Sequence, residues 1–211
     1  MKDFLEEYRT IENKLYYEFE VEKSIFITNC CHVKNEEMAK DFIDEIKEKY
    51  KDANHNCSAY IINSKPIIKR YSDDGEPQAS AGLPMLSVLE KENLKNIVVV
   101  VSRYFGGKKL GKAGLIRTYG KAVSDCLKEK MIFSRPFYKI SLTLDYNNIG
   151  LIENYINEKN IKIIEKSYTD KVEIYIYVYN KKLGSVKNDL INLTSNNIKI
   201  DIIDEVMLFE N

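Results

Sequence analysis

A run of aliphatic residues followed at once by glycines and lysines constrains this chain more than any other feature. Within NIVVVVSRYFGGKKLGKAGL, the five consecutive residues Ile97–Val101 are typical of a strand buried on both faces. Residues 112–130 then place apolar side chains on one helical face and charged side chains on the other. The sequence therefore predicts a buried strand, a glycine-rich turn and an amphipathic helix in close succession.

The stretch from residue 103 to residue 121 is also wholly cationic. It holds six basic side chains, five glycines and no acid, in a chain whose formal net charge is zero. A turn into a helix presents backbone N–H groups and the positive end of the helix dipole to an anion, and arginine donates paired hydrogen bonds to phosphate. The predicted phosphate or nucleic-acid contacts are Arg103, Gly106, Gly107, Lys108, Lys109, Gly111, Lys112, Arg117 and Lys121.

A blander interpretation stays open, in which this is a solvated loop whose glycines only permit a tight connection. The spacing matches neither GxxxxGK[ST] nor an opening G-x-G-x-x-G, so no known nucleotide pocket is indicated. The distribution of charge along the chain nevertheless favours a functional role for this segment. Residues 1–64 carry 9 basic and 14 acidic side chains, whereas residues 65–121 carry 11 and 5. Seven of the nine glycines also lie between residues 73 and 120, so the middle of the chain is where function is predicted.

An acidic loop precedes the basic segment. Asp73, Asp74 and Glu76 could hold Mg²⁺, because hard cations prefer oxygen ligands. The same residues could instead cap the following helix or neutralise the neighbouring basic loop. With Lys108, Lys109 and Arg117 on the phosphates, the metal interpretation gives an alternative function, a Mg-dependent phosphate-ester or nucleotide-handling enzyme. No catalytic set is predicted, and whether the chain is an enzyme stays open, with the balance against it.

The cysteines and histidines are predicted to be structural. His55 and Cys57 lie two residues apart at a strand entrance, and no third group is evident to orient a nucleophile. Together with Cys30 and His32 they do not have zinc-finger spacing. We therefore expect no metal and no cofactor. The cysteines form no CxxC motif, the N-terminus lacks the apolar core of a signal peptide, and no apolar run is long enough to span a bilayer. These features predict a cytoplasmic protein without membrane contact.

The secondary-structure pattern predicts an α+β chain of two domains. Before residue 132 we expect strands at 15–33 that meet near Glu22-Lys23, helices at 35–50 (N-capped by Asn35), 83–92 and 112–130, and a loop at 70–82. After Pro136 the order is β-α-β-β-α-β, which is ferredoxin-like. The predicted boundaries are 1–131 and 137–211, joined by a linker at 132–136. One strand of the second domain alternates apolar residues with Glu173, Tyr175, Tyr177 and Tyr179, whose role the sequence does not define.

Three motifs carry a family resemblance: HNCSAY at 55–60, RYSDDGEPQASAGLPML at 70–86 and NIVVVVSRYFGGKKLGKAGLIRTYGKA at 96–122. They closely resemble the IMPACT family, including its bacterial YigZ-type proteins. The resemblance implies an N-terminal domain with the fold of domain 2 of ribosomal protein five, a ferredoxin-like C-terminal domain and a role in the regulation of translation. This chain departs from the family pattern at Gln78-Ala79-Ser80, where Ser-Gly-Thr is usual, and at Leu83, where a basic residue is common.

Taken with the basic segment, the resemblance predicts a translation-linked regulatory protein. We expect it to bind RNA or the ribosome through the glycine-rich loop and the helix that follows. A translation-regulatory protein is a further expected partner.

Overall fold

The computed structural model describes residues 6–210. These residues form two compact units, Tyr8–Phe133 and Ser134–Glu210, the second together with the residues up to Glu7. Both units mix helices with antiparallel strands, so the predicted α+β class is confirmed. No helix among the described residues is long and apolar enough to cross a bilayer.

The first unit is built around one five-stranded sheet. Its elements are β1 (Tyr8–Ile11), β2 (Leu15–Val21), β3 (Ser24–His32), α1 (Glu36–Lys49), β4 (His55–Ile62), β5 (Ile68–Ser72), α2 (Gly82–Lys91), β6 (Ile97–Tyr104) and α3 (Gly111–Leu127). The strand order is β2-β3-β6-β4-β5, with every neighbouring pair antiparallel. Strand β6 is therefore central.

Both faces of this sheet are covered by helices. Ile97, Val99 and Val101 pack in a core with α2 and α3, whereas Val98 and Val100 pack in a separate core with α1. Successive side chains of a strand point to opposite faces. The unbroken apolar run is thus explained by burial on both sides, as predicted.

The second unit has the ferredoxin-like topology. Its elements are β7 (Met131–Leu144), α4 (Ile149–Glu158), β8 (Ile163–Tyr168), β9 (Val172–Tyr179), α5 (Leu183–Leu193) and β10 (Ile198–Glu210). Strand β7 pairs with β9 on one side and with β10 on the other, and β9 pairs with β8. Val172, Ile174, Ile176 and Val178 of β9 enter the core, and the tyrosines of that strand are half-buried on the opposite face.

Three local predictions differ from the structure. Residues 132–136, predicted as the linker, lie within β7, whose extended backbone Pro136 and the residue before it can adopt. Residues 70–72, expected in a loop, belong to β5. Strand β1 lies before the first predicted element and was not predicted. Strands β1 and β5 are only four and five residues long, which leaves little periodicity to detect.

Candidate nucleic-acid interface

The segment of residues 103–121, here called the basic corner, joins the end of β6 to α3. Its turn is held against the hairpin between β2 and β3, whose residues Glu22 and Lys23 both have left-handed φ angles, 49° and 64°. The N–H of Gly106 donates to Ser24 Oγ at 3.1 Å. A Cβ at Gly106 would lie 2.0 Å from the carbonyl carbon and oxygen of Lys23, so only glycine fits here.

The N-terminus of α3 is open to an anion. The helix begins at Gly111 with a φ of 69°, makes no side-chain capping hydrogen bond and has no acid in its first turn. Within the described part of the chain its first N–H groups therefore have no side-chain acceptor, and its first turn holds no carboxylate to neutralise the positive end of the helix dipole. Gly107, Lys108 and Lys109 lie in the turn, whereas Lys112, Arg117 and Lys121 follow along α3.

The six cations of the basic corner differ in their availability. Within residues 6–210, Lys109, Lys112 and Arg117 are exposed and make no ion pair. Lys108 pairs with Glu22 of the neighbouring hairpin, and Lys121 pairs with Asp125 one turn further along α3. The hydrogen bond from Lys121 lowers the pKa of the Asp125 carboxyl. Lys109, Lys112 and Arg117 can therefore contact an external anion without breaking an ion pair within the described part of the protein.

Arg103 is a correction to the sequence prediction. Its side chain is only 6% exposed, and Nη1 donates to Glu76 Oε1 at 2.6 Å. The guanidinium carbon lies 5.4 Å from the ring centroid of Phe26 and 5.5 Å from that of Phe105. A buried charge needs a partner, and the acidic loop supplies it. Arg103 therefore supports the corner from inside, and its burial in an ion pair does not favour the predicted phosphate contact.

Glu76 is the centre of this buried network. Its Oε1 also accepts a hydrogen bond from Tyr119 Oη at 2.8 Å, and His55 Nε2 lies 4.0 Å from Oε2. Burial raises the pKa of Tyr119 well above its usual range, so the phenol remains a donor.

Burial also raises the pKa of the Cys57 thiol to about 12, and its Sγ donates to the carbonyl of Asp73 at 2.9 Å. A protonated, hydrogen-bonded thiol is a poor nucleophile.

The two aspartates of the acidic loop are occupied by backbone donors. Asp73 accepts from the N–H groups of Ala79, Ala81 and Gly82 at 2.7, 3.0 and 2.9 Å, and so caps the start of α2. Asp74 accepts from the N–H of Asn56 at 2.7 Å and pairs with Lys47 at 3.0 Å.

This geometry does not favour the magnesium arrangement. Asp73, Asp74 and Glu76 direct their carboxylates to separate internal donors, and the described residues contain no group of three or more His, Cys, Asp or Glu that could hold a metal. Of the two alternatives to metal binding, Asp73 caps α2 and Glu76 neutralises the basic residue Arg103.

Sequence reasoning missed Phe105, the first residue of the turn. Its side chain is 44% exposed, and its N–H donates to Asn54 Oδ1 at 2.8 Å. Phe105 lies two residues after Arg103, and side chains two residues apart on a strand point to the same face. This spacing is the feature of the sequence from which the proximity of the two side chains could have been predicted.

The comparisons with known proteins cover most of the chain. The family described as Impact N-terminal domain matches residues 22–127, and a domain of unknown function (DUF1949) matches residues 142–197. The chain is 42% identical to the IMPACT family member YvyE of Bacillus subtilis over 192 residues, which is 90% of this chain and 88% of that protein.

Two solved structures are also similar. One, described only as a hypothetical protein, is 28% identical, with a TM-score of 0.59 over 95% of this chain and 99% of the other. The second is described as the two-domain translational regulator Yih1. It is 29% identical over 56% of this chain and 46% of that one, and its TM-score of 0.35 does not bear on the fold.

Proposed function

Since this chain belongs to the IMPACT family, as its motifs predicted, we propose that it is a translation-linked regulatory protein that binds RNA, free or in the ribosome, through the basic corner. One observation supports this proposal above the others. Among residues 6–210, Lys109, Lys112 and Arg117 are exposed and make no ion pair, and the N-terminus of α3 between them has no side-chain capping hydrogen bond.

The link to translation comes from the family. Yih1, which is 29% identical over 56% of this chain, is described as a translational regulator, and we extend that description to this chain as part of the proposal. RNA is the partner that the chemistry of the corner favours, because a row of unpaired cations and free backbone donors suits a phosphate backbone. A protein surface would need apolar contacts at the centre of the interface.

No specific observation favours the alternative enzyme. Its three acidic residues are engaged by Ala79, Ala81, Gly82, Asn56, Arg103 and Tyr119. Ligation of Mg²⁺ by these carboxylates would uncap α2 and leave Arg103 buried without its partner. The acidic loop is better described as the scaffold on which the basic corner is built.

The experiment is to measure RNA affinity as a function of salt for the triple variant Lys109→Ala, Lys112→Ala and Arg117→Ala. Each phosphate contact contributes about 0.7 to 0.9 to the slope of log K against log salt. We therefore expect the slope to fall by about 2 to 3. The matched control replaces Lys91, Lys128 and Lys130, which are also exposed and without ion pairs among the described residues of the same unit.

The control is expected to keep the slope of the unmodified protein. Equal slopes for the two triple variants would contradict the proposal and would make a protein the better candidate for the partner at this surface.

A further inference from the structure

We propose that the basic corner recognises single-stranded RNA, and that one unpaired base stacks on the ring of Phe105. This inference rests on the proposed function, because the cations of the corner supply the contacts to the flanking phosphates. It adds a residue to the site and a class of ligand, since a base in a duplex has both faces covered.

Phe105 is a fixed and accessible aromatic. The residue is 44% exposed, whereas its N–H donates to Asn54 Oδ1 at 2.8 Å. The next residue, Gly106, has no room for a Cβ against Lys23, so the backbone on that side is held as well. A ring held in this way loses little conformational freedom when a base stacks on it.

Buried groups support the ring from beneath. The guanidinium carbon of Arg103 lies 5.5 Å from the ring centroid of Phe105 and 5.4 Å from that of Phe26. Phe26 is fully buried and packs edge-on against Tyr119 at 5.4 Å. Glu76 binds both Arg103 and Tyr119. The exposed Phe105 is thus connected through Arg103 to the buried residues Phe26, Tyr119 and Glu76.

The surroundings of Phe105 favour a nucleic acid over a protein. The next four residues are two glycines and two lysines, of which Gly107 is exposed and has open space where a side chain would be. Lys109 and Lys112 are exposed and make no ion pair with any residue from 6 to 210. An aromatic platform beside a basic groove is the combination that binds single strands without base-pair recognition. Phe105 and Ile116 are the exposed large apolar side chains of residues 103–121, and two such residues among glycines and lysines do not provide an apolar interface core.

The experiment compares Phe105→Leu with Phe105→Trp. Leucine keeps an apolar side chain but removes the ring, and tryptophan keeps a stacking surface. Binding is measured by fluorescence anisotropy at fixed salt with a labelled single-stranded RNA and with a blunt RNA duplex of equal phosphate count. The matched control is Tyr71→Leu, at an aromatic on β5 that is 46% exposed.

We expect Phe105→Leu to weaken single-strand binding about tenfold or more, the typical contribution of one stacked base. Duplex binding should stay within about twofold. Phe105→Trp and Tyr71→Leu should bind the single strand as the unmodified protein does.

Unchanged single-strand binding by Phe105→Leu would overturn the stacking inference, and so would an equal loss on both RNAs. The proposed function is tested separately by the variant of Lys109, Lys112 and Arg117. If that variant loses its salt slope while Phe105→Leu binds normally, the stacking inference is wrong and the proposed function stands. If neither variant is affected, both are wrong.

Discussion

At the scale of single residues, Ala79 shows how the acidic loop is made. Its φ angle is 57°, in the left-handed region that favours glycine, and glycine is usual at this place in the family pattern. Its N–H donates to Asp73 Oδ2 at 2.7 Å, within the loop that caps α2. The capping bonds hold a non-glycine residue in a backbone conformation that it seldom adopts.

Replacing Ala79 with glycine is therefore expected to stabilise the protein. Relief of the left-handed strain contributes about 1 to 2 kcal/mol, and the added flexibility of the unfolded chain offsets part of it. We expect a net gain of up to about 1 kcal/mol in the free energy of unfolding, measured by urea denaturation. Ala113→Gly, at an exposed position of α3, is the control and should lose about 1 kcal/mol. A loss at Ala79 as large as that at Ala113 would contradict this explanation of the loop.

Single-residue features were predictable where their cause is local. Asn35 was predicted as the N-cap of α1, and its Oδ1 accepts from the N–H of Met38 at 2.8 Å. The burial of Arg103 could not be predicted, because its partner Glu76 is 27 residues away and is brought to it only by the fold. Local pattern identified the cationic stretch but did not separate its exposed charges from its buried one.

At the scale of elements, the unit formed by β6, its glycine turn and α3 was the most predictable part of the fold. The apolar run indicated the strand, and the 3.6-residue periodicity indicated the helix. The close approach of Gly106 to the β2–β3 hairpin could not be predicted, because it joins two segments more than 80 residues apart. The two glycines of the turn consequently have different roles.

Their substitution should separate these roles. Gly106→Ala forces a Cβ to within 2.0 Å of backbone, and we expect a loss of at least about 2 kcal/mol in the free energy of unfolding. Gly107→Ala has open space and meets only the cost of its φ of 86°, about 1 to 2 kcal/mol.

The control for this pair is Gly150 of α4, which has no positive φ and no atom within 4 Å of the place that a Cβ would take. Its replacement by alanine should be neutral or stabilising by up to about 1 kcal/mol. If Gly106→Ala lost no more free energy of unfolding than Gly107→Ala, the turn could move away from the hairpin, and this explanation of Gly106 would be wrong.

At the scale of the whole molecule, each unit has its own hydrophobic core, and the available cations of the basic corner all lie in the first unit. The change of pattern near Pro136 predicted a boundary at 132–136, and the two units meet in sequence at Phe133 and Ser134. Composition could not show that a strand continues through that point, since a proline suits extended backbone as well as a linker.

Sedimentation with purified ribosomes at about 50 mM and about 200 mM salt tests RNA binding by the basic corner most directly. We predict that the unmodified protein and the control variant of Lys91, Lys128 and Lys130 sediment with ribosomes at the lower salt and are released at the higher. The variant of Lys109, Lys112 and Arg117 should remain in the supernatant at both. If that variant sedimented with ribosomes as fully as the unmodified protein, the basic corner would not be the surface that binds RNA.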